Sequence, residues 1–182
     1  MEHLITQTVE ALCLGKTILY PTDTIWGIGC DARNAEAVER LYSIKERDHS
    51  KSMLVLVDRL PIIPNNLSSR PTTFILPREM WGPMLDSSIA PNLPADNGTL
   101  GIRCPQHHFC QEVIRLLGAP LVSTSANLSG HPSPTSYNDI DKTLIERIDF
   151  CVPPFPEFLS GETQGSQIIK INPDGSQTIL RP

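Results

Sequence analysis

Three polar stretches of the 182-residue sequence carry side chains that could do chemistry, and each adjoins an apolar run. Thr22-Asp23-Thr24 follows Leu19-Tyr20-Pro21, where a proline that cannot donate to a ladder ends a short strand. Lys45, Arg47 and Lys51 precede the apolar run Met53-Leu54-Val55-Leu56-Val57. Ser123, Thr124, Ser125, Asn127 and Ser129 follow Pro120-Leu121-Val122, at the C-terminal end of a strand, where open α/β sheets place their ligands. The set offers cations and hydroxyls without a nucleophile and base in sequence register. It suits an anionic ligand. Phosphoryl or nucleotidyl transfer asks for little else, because that chemistry runs on positioning and charge neutralisation. Arginine presents a planar fork to phosphate or carboxylate, and lysine a compact point charge.

Each residue also has a plainer reading. Lys45 closes the helical stripe Val38, Leu41, Tyr42, Lys45, where its stem could lie along apolar surface and its charge complement the helix C-terminus. Arg47 and Lys51 stand beside Glu46 and Asp48 and read equally as surface charge. The Ser123–Ser129 loop is as well explained by side chains bonding their own backbone. Asp23, the one carboxylate in a suggestive place, reads as a turn or cap acceptor.

Other chemistries find no support. There is no G-x-x-x-x-G-K-[ST] loop, and Trp26-Gly27-Ile28-Gly29 lacks the helix a dinucleotide fingerprint needs. His107 and His108 are adjacent and point apart, while His3, His49 and His131 are scattered, so all read as surface histidines. No paired carboxylates suggest two-acid hydrolysis. Cys13, Cys30, Cys104, Cys110 and Cys151 are odd in number and form no C-x-x-C pair, which points to buried free thiols in a reducing cytoplasm. Net charge is −5, against bulk coating of nucleic acid but compatible with a local positive cleft. No apolar run approaches the ~18 residues of a membrane span, and no signal-peptide pattern opens the chain. The N-x-S/T matches at Asn66, Asn97 and Asn127 are read as accidental.

The positioning elements follow from pattern. With 40% apolar and 19% charged residues the chain is globular, and its length fits one domain over 1–182. Ile5, Val9 and Leu12 predict a helix stopped at Gly15; a strand follows at 17–20, then the run 24–29. Asn34 caps the helix carrying Lys45. Strands are predicted at 53–57, 72–76, 99–103 and 120–124, and the seventeen prolines put long loops in 61–94 and 153–156. The stretch 77–97 reads as a surface loop with a turn near Met80–Leu85. Phe109, Val113, Leu116 and Leu117 predict a helix ending at Gly118, and Ser136 with Asp139 a capping box for a helix carrying Ile140, Leu144 and Ile148. Phe150–Val152 reads as a strand, and Asn172-Pro173-Asp174-Gly175 as the turn of a closing hairpin, 168–171 with 177–181.

Together the motifs resemble one family. Tyr20-Pro21-Thr22-Asp23-Thr24-x-Trp26-Gly27-x-Gly29-x-Asp31-Ala32, Lys45-x-Arg47 with Lys51, Gly101-Ile102-Arg103-x-Pro105 and Ser125-Ala126-Asn127-x-Ser129-Gly130 are similar, in order, to the YrdC-like domain of L-threonylcarbamoyladenylate synthases. The similarity runs to Leu180-Arg181-Pro182, at the length of the minimal form of the family. It departs at Arg70-Pro71-Thr72-Thr73, where the family has an aromatic-Trp-Pro-Gly-Pro-Leu-Thr segment, and at Ser166-Gln167 in place of Ser-Thr.

The resemblance implies an α/β fold: a twisted, mixed sheet with flanking helices around a concave, positively lined cleft. It implies a nucleotidyltransferase joining L-threonine, bicarbonate and ATP into threonylcarbamoyl-AMP, with release of pyrophosphate, for modification of adenosine 37 in tRNA. By position it implies catalytic roles for Lys45, Arg47, Ser125 and Asn127. It sets Thr24, Arg103 and Ser123 near threonine, and Arg47, Lys51, Thr99, Ser125, Ser133 and Arg181 near the nucleotide, with Tyr20, Thr22 and Ser166 as further candidates. Mg²⁺ is expected to travel with the triphosphate rather than on protein ligands. The product is expected to pass to a tRNA-threonylcarbamoylating machinery in the cytoplasm, with at most weak direct RNA binding. The alternatives are an RNA-binding module of the same fold, or a paralogue acting on a related carbamoyl-adenylate.

Overall fold

Alternation decides which side of the sheet each strand residue faces. The structure, a computed structural model, describes residues 1–49, 52–61, 70–155 and 164–182, and the side chain of Met84 is not among them. Its strands are β1 (Ile18–Tyr20), β2 (Gly27–Gly29), β3 (Leu54–Leu56), β4 (Thr72–Pro77), β5 (Thr99–Arg103), β6 (Leu121–Ser125), β7 (Phe150–Cys151), β8 (Gln167–Ile171) and β9 (Gln177–Arg181). Among the described residues they form one mixed sheet in the order β7-β1-β2-β6-β3-β5-β4-β8-β9. The pairs β1–β7, β3–β5 and β4–β8 are parallel and the rest antiparallel.

Helices α1 (Glu2–Cys13), α2 (Ala35–Lys45), α3 (Gly82–Ser88), α4 (His108–Leu117) and α5 (Lys142–Glu146) cover it. Ile18, Tyr20, Leu56 and Leu121 pack in one cluster with Ile5 and Leu12 of α1 and Phe109 and Val113 of α4. Their neighbours Leu19, Val55 and Val122 point the other way, into a second cluster with Val38 and Leu41 of α2 and Leu144 of α5. A sheet covered on both faces needs near-continuous apolar strands, which is why 17–20, 53–57 and 120–122 read as unbroken hydrophobic runs.

Local signals explain the helix ends. Asn34 accepts a hydrogen bond from the Ala37 N–H at 3.0 Å and caps α2. Gly29 allows the close approach of β2 to β6: a Cβ there would lie 2.1 Å from the Val122 carbonyl oxygen. Asp149, ahead of β7, accepts from both the N–H and the hydroxyl of Thr17 and pairs with Arg40 at 2.7 Å, which ties β7 to β1.

Four expectations change. The stretch 77–97 is a core strap rather than a surface loop: a 3-10 turn (Arg78–Met80) and α3 bury Trp81, Leu85, Ala90 and Leu93. Its apolar residues follow no single period because turn, helix and extended chain succeed one another. Leu116 is exposed, and Cys110 and Ile114 complete the buried face of α4. The Ser136–Asp139 box closes a 3-10 turn (Tyr137–Asp139), while Asp141 caps α5 through the Thr143 N–H. Of the thiols, Cys30 and Cys110 are buried, Cys104 and Cys151 are half-buried and Cys13 is exposed. Residues 62–69 and 156–163, within the stretches expected to be long loops, lie outside the described residues. No helix among the described residues is long and apolar enough to cross a membrane.

Candidate functional site

The polar ends of β2, β5 and β6 meet the loop after α2 and the β8–β9 hairpin around a cleft of about 310 Å³. Arg47, Arg103 and Arg181 line it together with the hydroxyl residues Thr22, Thr24, Ser123, Ser125, Ser133 and Ser166. Nine of the site residues that the resemblance implied thus share one hollow.

The three guanidiniums come from separate elements. Glu46 caps α2 in the left-handed region, with φ of 51°, and is the non-glycine residue of positive φ among those described. That reversal parts Lys45 from Arg47. Arg47 turns to the cleft and donates from Nη2 to the Ser52 carbonyl at 2.8 Å. Arg103 ends β5 and donates from Nη1 to Thr24 Oγ1 at 3.0 Å. Thr24 Oγ1 in turn lies 3.0 Å from Thr22 Oγ1, whose hydroxyl donates to the Ile25 carbonyl. Arg181 ends β9 and donates from Nε and Nη2 to the Ser166 carbonyl. Gly165 lies against this guanidinium: an added Cβ would come 2.9 Å from its Nη2, and the flexible Arg181 side chain would have to shift. Burial pulls the pKa of Arg47 down; it does the same to Arg181, helped by the positive charge of Arg103. Both shifts mark positive charge held partly out of water, an environment that favours binding of an anion.

Other expected residues lie elsewhere. Lys45 is 1% exposed and does not line the cleft. Its Nζ donates to the carbonyls of Ser125 and Asn127 at 2.5 and 2.7 Å, and its own carbonyl accepts from the Ser129 N–H. Lys45 is therefore a strut under the Ser125 loop. Burial, and then the Arg47 charge, pull its ammonium from the ordinary 10.5 to about 7. Asn127 faces a neighbouring hollow of about 540 Å³, joined to the cleft through Ser133, which lines both. Its amide donates to the Leu128 and His131 carbonyls and so holds the loop. Thr99 sits at the far end of β5 from Arg103, roughly 13 Å along the strand, and its hydroxyl donates to Asn97 Oδ1. Tyr20 is fully buried, its hydroxyl 3.4 Å from the Val122 carbonyl, and burial pushes its phenol well up. Lys51 lies outside the described residues. His107 is half-buried rather than on the surface, and burial lowers its pKa against the pull of Asp23.

The sequence reading missed Thr73, whose hydroxyl lies 2.7 Å from Ser166 Oγ in the cleft wall. Its signal was a hydroxyl residue directly ahead of the apolar run Phe74-Ile75-Leu76 of β4. Among the described residues no cluster of three or more His, Cys, Asp or Glu could hold a metal ion. The site as built can bind and orient anions, with hydroxyls to direct individual oxygens.

Residues 10–182 match the Sua5/YciO/YrdC family model, described as "Telomere recombination". The threonylcarbamoyl-AMP synthase of Xanthomonas campestris pv. campestris (strain B100) is 34% identical over 150 residues, covering 78% of this chain and 80% of its own. That of Pseudoalteromonas translucida (strain TAC 125) is 32% identical over 183 residues, covering 92% of each. Among solved structures, E. coli YciO superposes with a TM-score of 0.76 at 23% identity, over 100% of this chain and 89% of that one. P. abyssi Sua5 complexed with L-threonine gives 0.77 at 23% identity, over 98% of this chain. This chain spans only 53% of that Sua5 chain, and 56% of Sua5 in its H234A/Y235A form.

Proposed function

The chain belongs to the Sua5/YciO/YrdC family, and on that premise we propose that it is a threonylcarbamoyl-AMP synthase acting in tRNA modification in the cytoplasm. One observation carries the reading at the level of chemistry: three guanidiniums and a ring of hydroxyls converge on a single cleft. The threonine carbamate and ATP are both anions, so such a cleft meets the demand of the reaction.

The steps balance without a covalent enzyme intermediate. The amine of L-threonine takes up carbon from bicarbonate, losing water, and becomes a carbamate. A carbamate oxygen then attacks the α-phosphorus of ATP, the bond to the β-phosphate oxygen breaks, and pyrophosphate leaves. Arg103, braced on Thr24 and close to Ser123 along the cleft wall, receives the threonine carboxylate. Arg47, Arg181 and Lys51 neutralise the phosphates, and the hydroxyls of Ser125 and Ser133 orient their oxygens. Mg²⁺ enters as part of the substrate, on the triphosphate. Lys45 and Asn127 act through the loop they hold, so that Ser125 stays aimed at the nucleotide.

The test is release of pyrophosphate from ATP in the presence of threonine and bicarbonate, with serine as the competing amino acid. Arg47→Ala should lose most activity, on the order of a hundredfold, because a cation on the phosphates acts where charge develops. Unchanged turnover in Arg47→Ala, or release indifferent to threonine, would remove the proposal.

A further inference from the structure

Asp23 reads in sequence as a turn acceptor, but its carboxylate divides its oxygens between two tasks. Oδ2 accepts from the Gln106 N–H at 3.0 Å, and Oδ1 faces Arg103 Nη2 at 3.4 Å. The side chains are 9% and 4% exposed. Asp23 does not line the cleft, whereas Arg103 and Thr24 do. The guanidinium is thus backed by a carboxylate and fronted by the site. Asp23 is the ion-pair partner of Arg103 among the described residues. Asp23 Oδ1 and Arg103 Nε are both buried, and among the described residues neither has a hydrogen-bond partner. The charges are paired and the fork is loose, so a small turn of the guanidinium would seat one N–H on the waiting oxygen.

The geometry points to Asp23 as a positioning residue: it holds the Nη2 edge of Arg103 from behind and leaves the Nη1 edge, set against Thr24, to meet a carboxylate in the cleft. It thereby governs affinity for the amino acid and not for the nucleotide. The inference rests on the role proposed above for Arg103. It also explains why a carboxylate, rather than an amide, stands at this position. Asparagine has one acceptor for two donors. With its oxygen on the Gln106 N–H, its NH₂ would face the N–H groups of Arg103, and flipped it would face the Gln106 N–H. Because one oxygen serves the Gln106 N–H and the other faces the guanidinium, Asp23→Asn cannot mimic the carboxylate. Asp23→Glu keeps the charge but moves the oxygens.

The experiment measures KM for threonine and for ATP in Asp23→Asn and Asp23→Glu, with Asp23→Asn repeated on an Arg103→Met background. The ¹⁵N–¹H signal of Arg103 Nε–H is followed in the ligand-free protein. Asp23→Asn should raise KM for threonine about tenfold and leave KM for ATP within about twofold, with Asp23→Glu between it and the wild type. It should add little once Arg103 is gone, because it acts through that residue. A general loss of structure would instead raise both KM values together and persist on the Arg103→Met background. Either result, or an unchanged KM for threonine, overturns the inference. Should the wild type release no pyrophosphate with threonine, the functional reading fails. The Nε–H line then decides the positioning alone: sharp in wild type and broadened in Asp23→Asn supports it, and identical lines in the two proteins overturn it.

Discussion

Lys45 buries an ammonium under the loop it supports, and its protonation has a measurable consequence. With its pKa drawn from 10.5 to about 7, the unfolded chain binds this proton more tightly than the folded one. Stability therefore rises with pH from about 7 to about 10.5, and below that window the folded protein bears the full cost of the buried charge. A neutral amine keeps two N–H groups, enough for the carbonyls of Ser125 and Asn127, so the contact survives loss of the proton. Urea denaturation should show wild type gaining stability relative to Lys45→Met as pH climbs through that window, and a flat difference would remove this account. The helical stripe ending in Lys45 was legible from spacing alone. Where its Nζ goes was not, because periodicity fixes the face a side chain leaves from and not the acceptors at its far end. The same limit hid the second oxygen of Asp23. A lone carboxylate in a turn looks alike in sequence whether it caps a backbone N–H or also faces an arginine eighty residues on.

The elements were legible where one period ran long enough to be counted. Helix α2 with its Asn34 cap, strand β5 ahead of Pro105 and the β8–β9 hairpin lie where cap, proline and turn signals placed them. The strap 77–97 was not legible, since its buried Trp81, Leu85, Ala90 and Leu93 belong to three short conformations in succession. Strand pairing was harder still, because nothing local says that Gly27 of β2 lies against Ser125 of β6. That contact makes its own prediction. Gly29→Ala would bring a Cβ within 2.1 Å of the Val122 oxygen, a backbone atom that cannot rotate aside. We expect a loss of several kcal/mol, the range reserved for severe steric defects, read as a fall in the midpoint of thermal denaturation. A midpoint within a degree or so of wild type would show that the two strands can part without cost.

Across the whole molecule the net charge is −5, yet three guanidiniums share one cleft. The fold sets like charges together because each arrives on a different element, and the ends of β5, β9 and the loop after α2 meet at that one rim. An anion that binds there only in the folded state stabilises it by mass action. Inorganic pyrophosphate should raise the melting temperature of wild type by a few degrees, less so at high salt because screening weakens the attraction, and not that of Arg47→Ala. An equal rise in both proteins would mean the anion is held elsewhere. The backward winding at Glu46 fixes how far this charge pattern could drift as related chains diverge. One residue inserted or removed there would send a cation into the wrong compartment, so the spacer's length is pinned while its identity is freer. Glycine, asparagine or aspartate would follow the same path, and a β-branched residue would resist it.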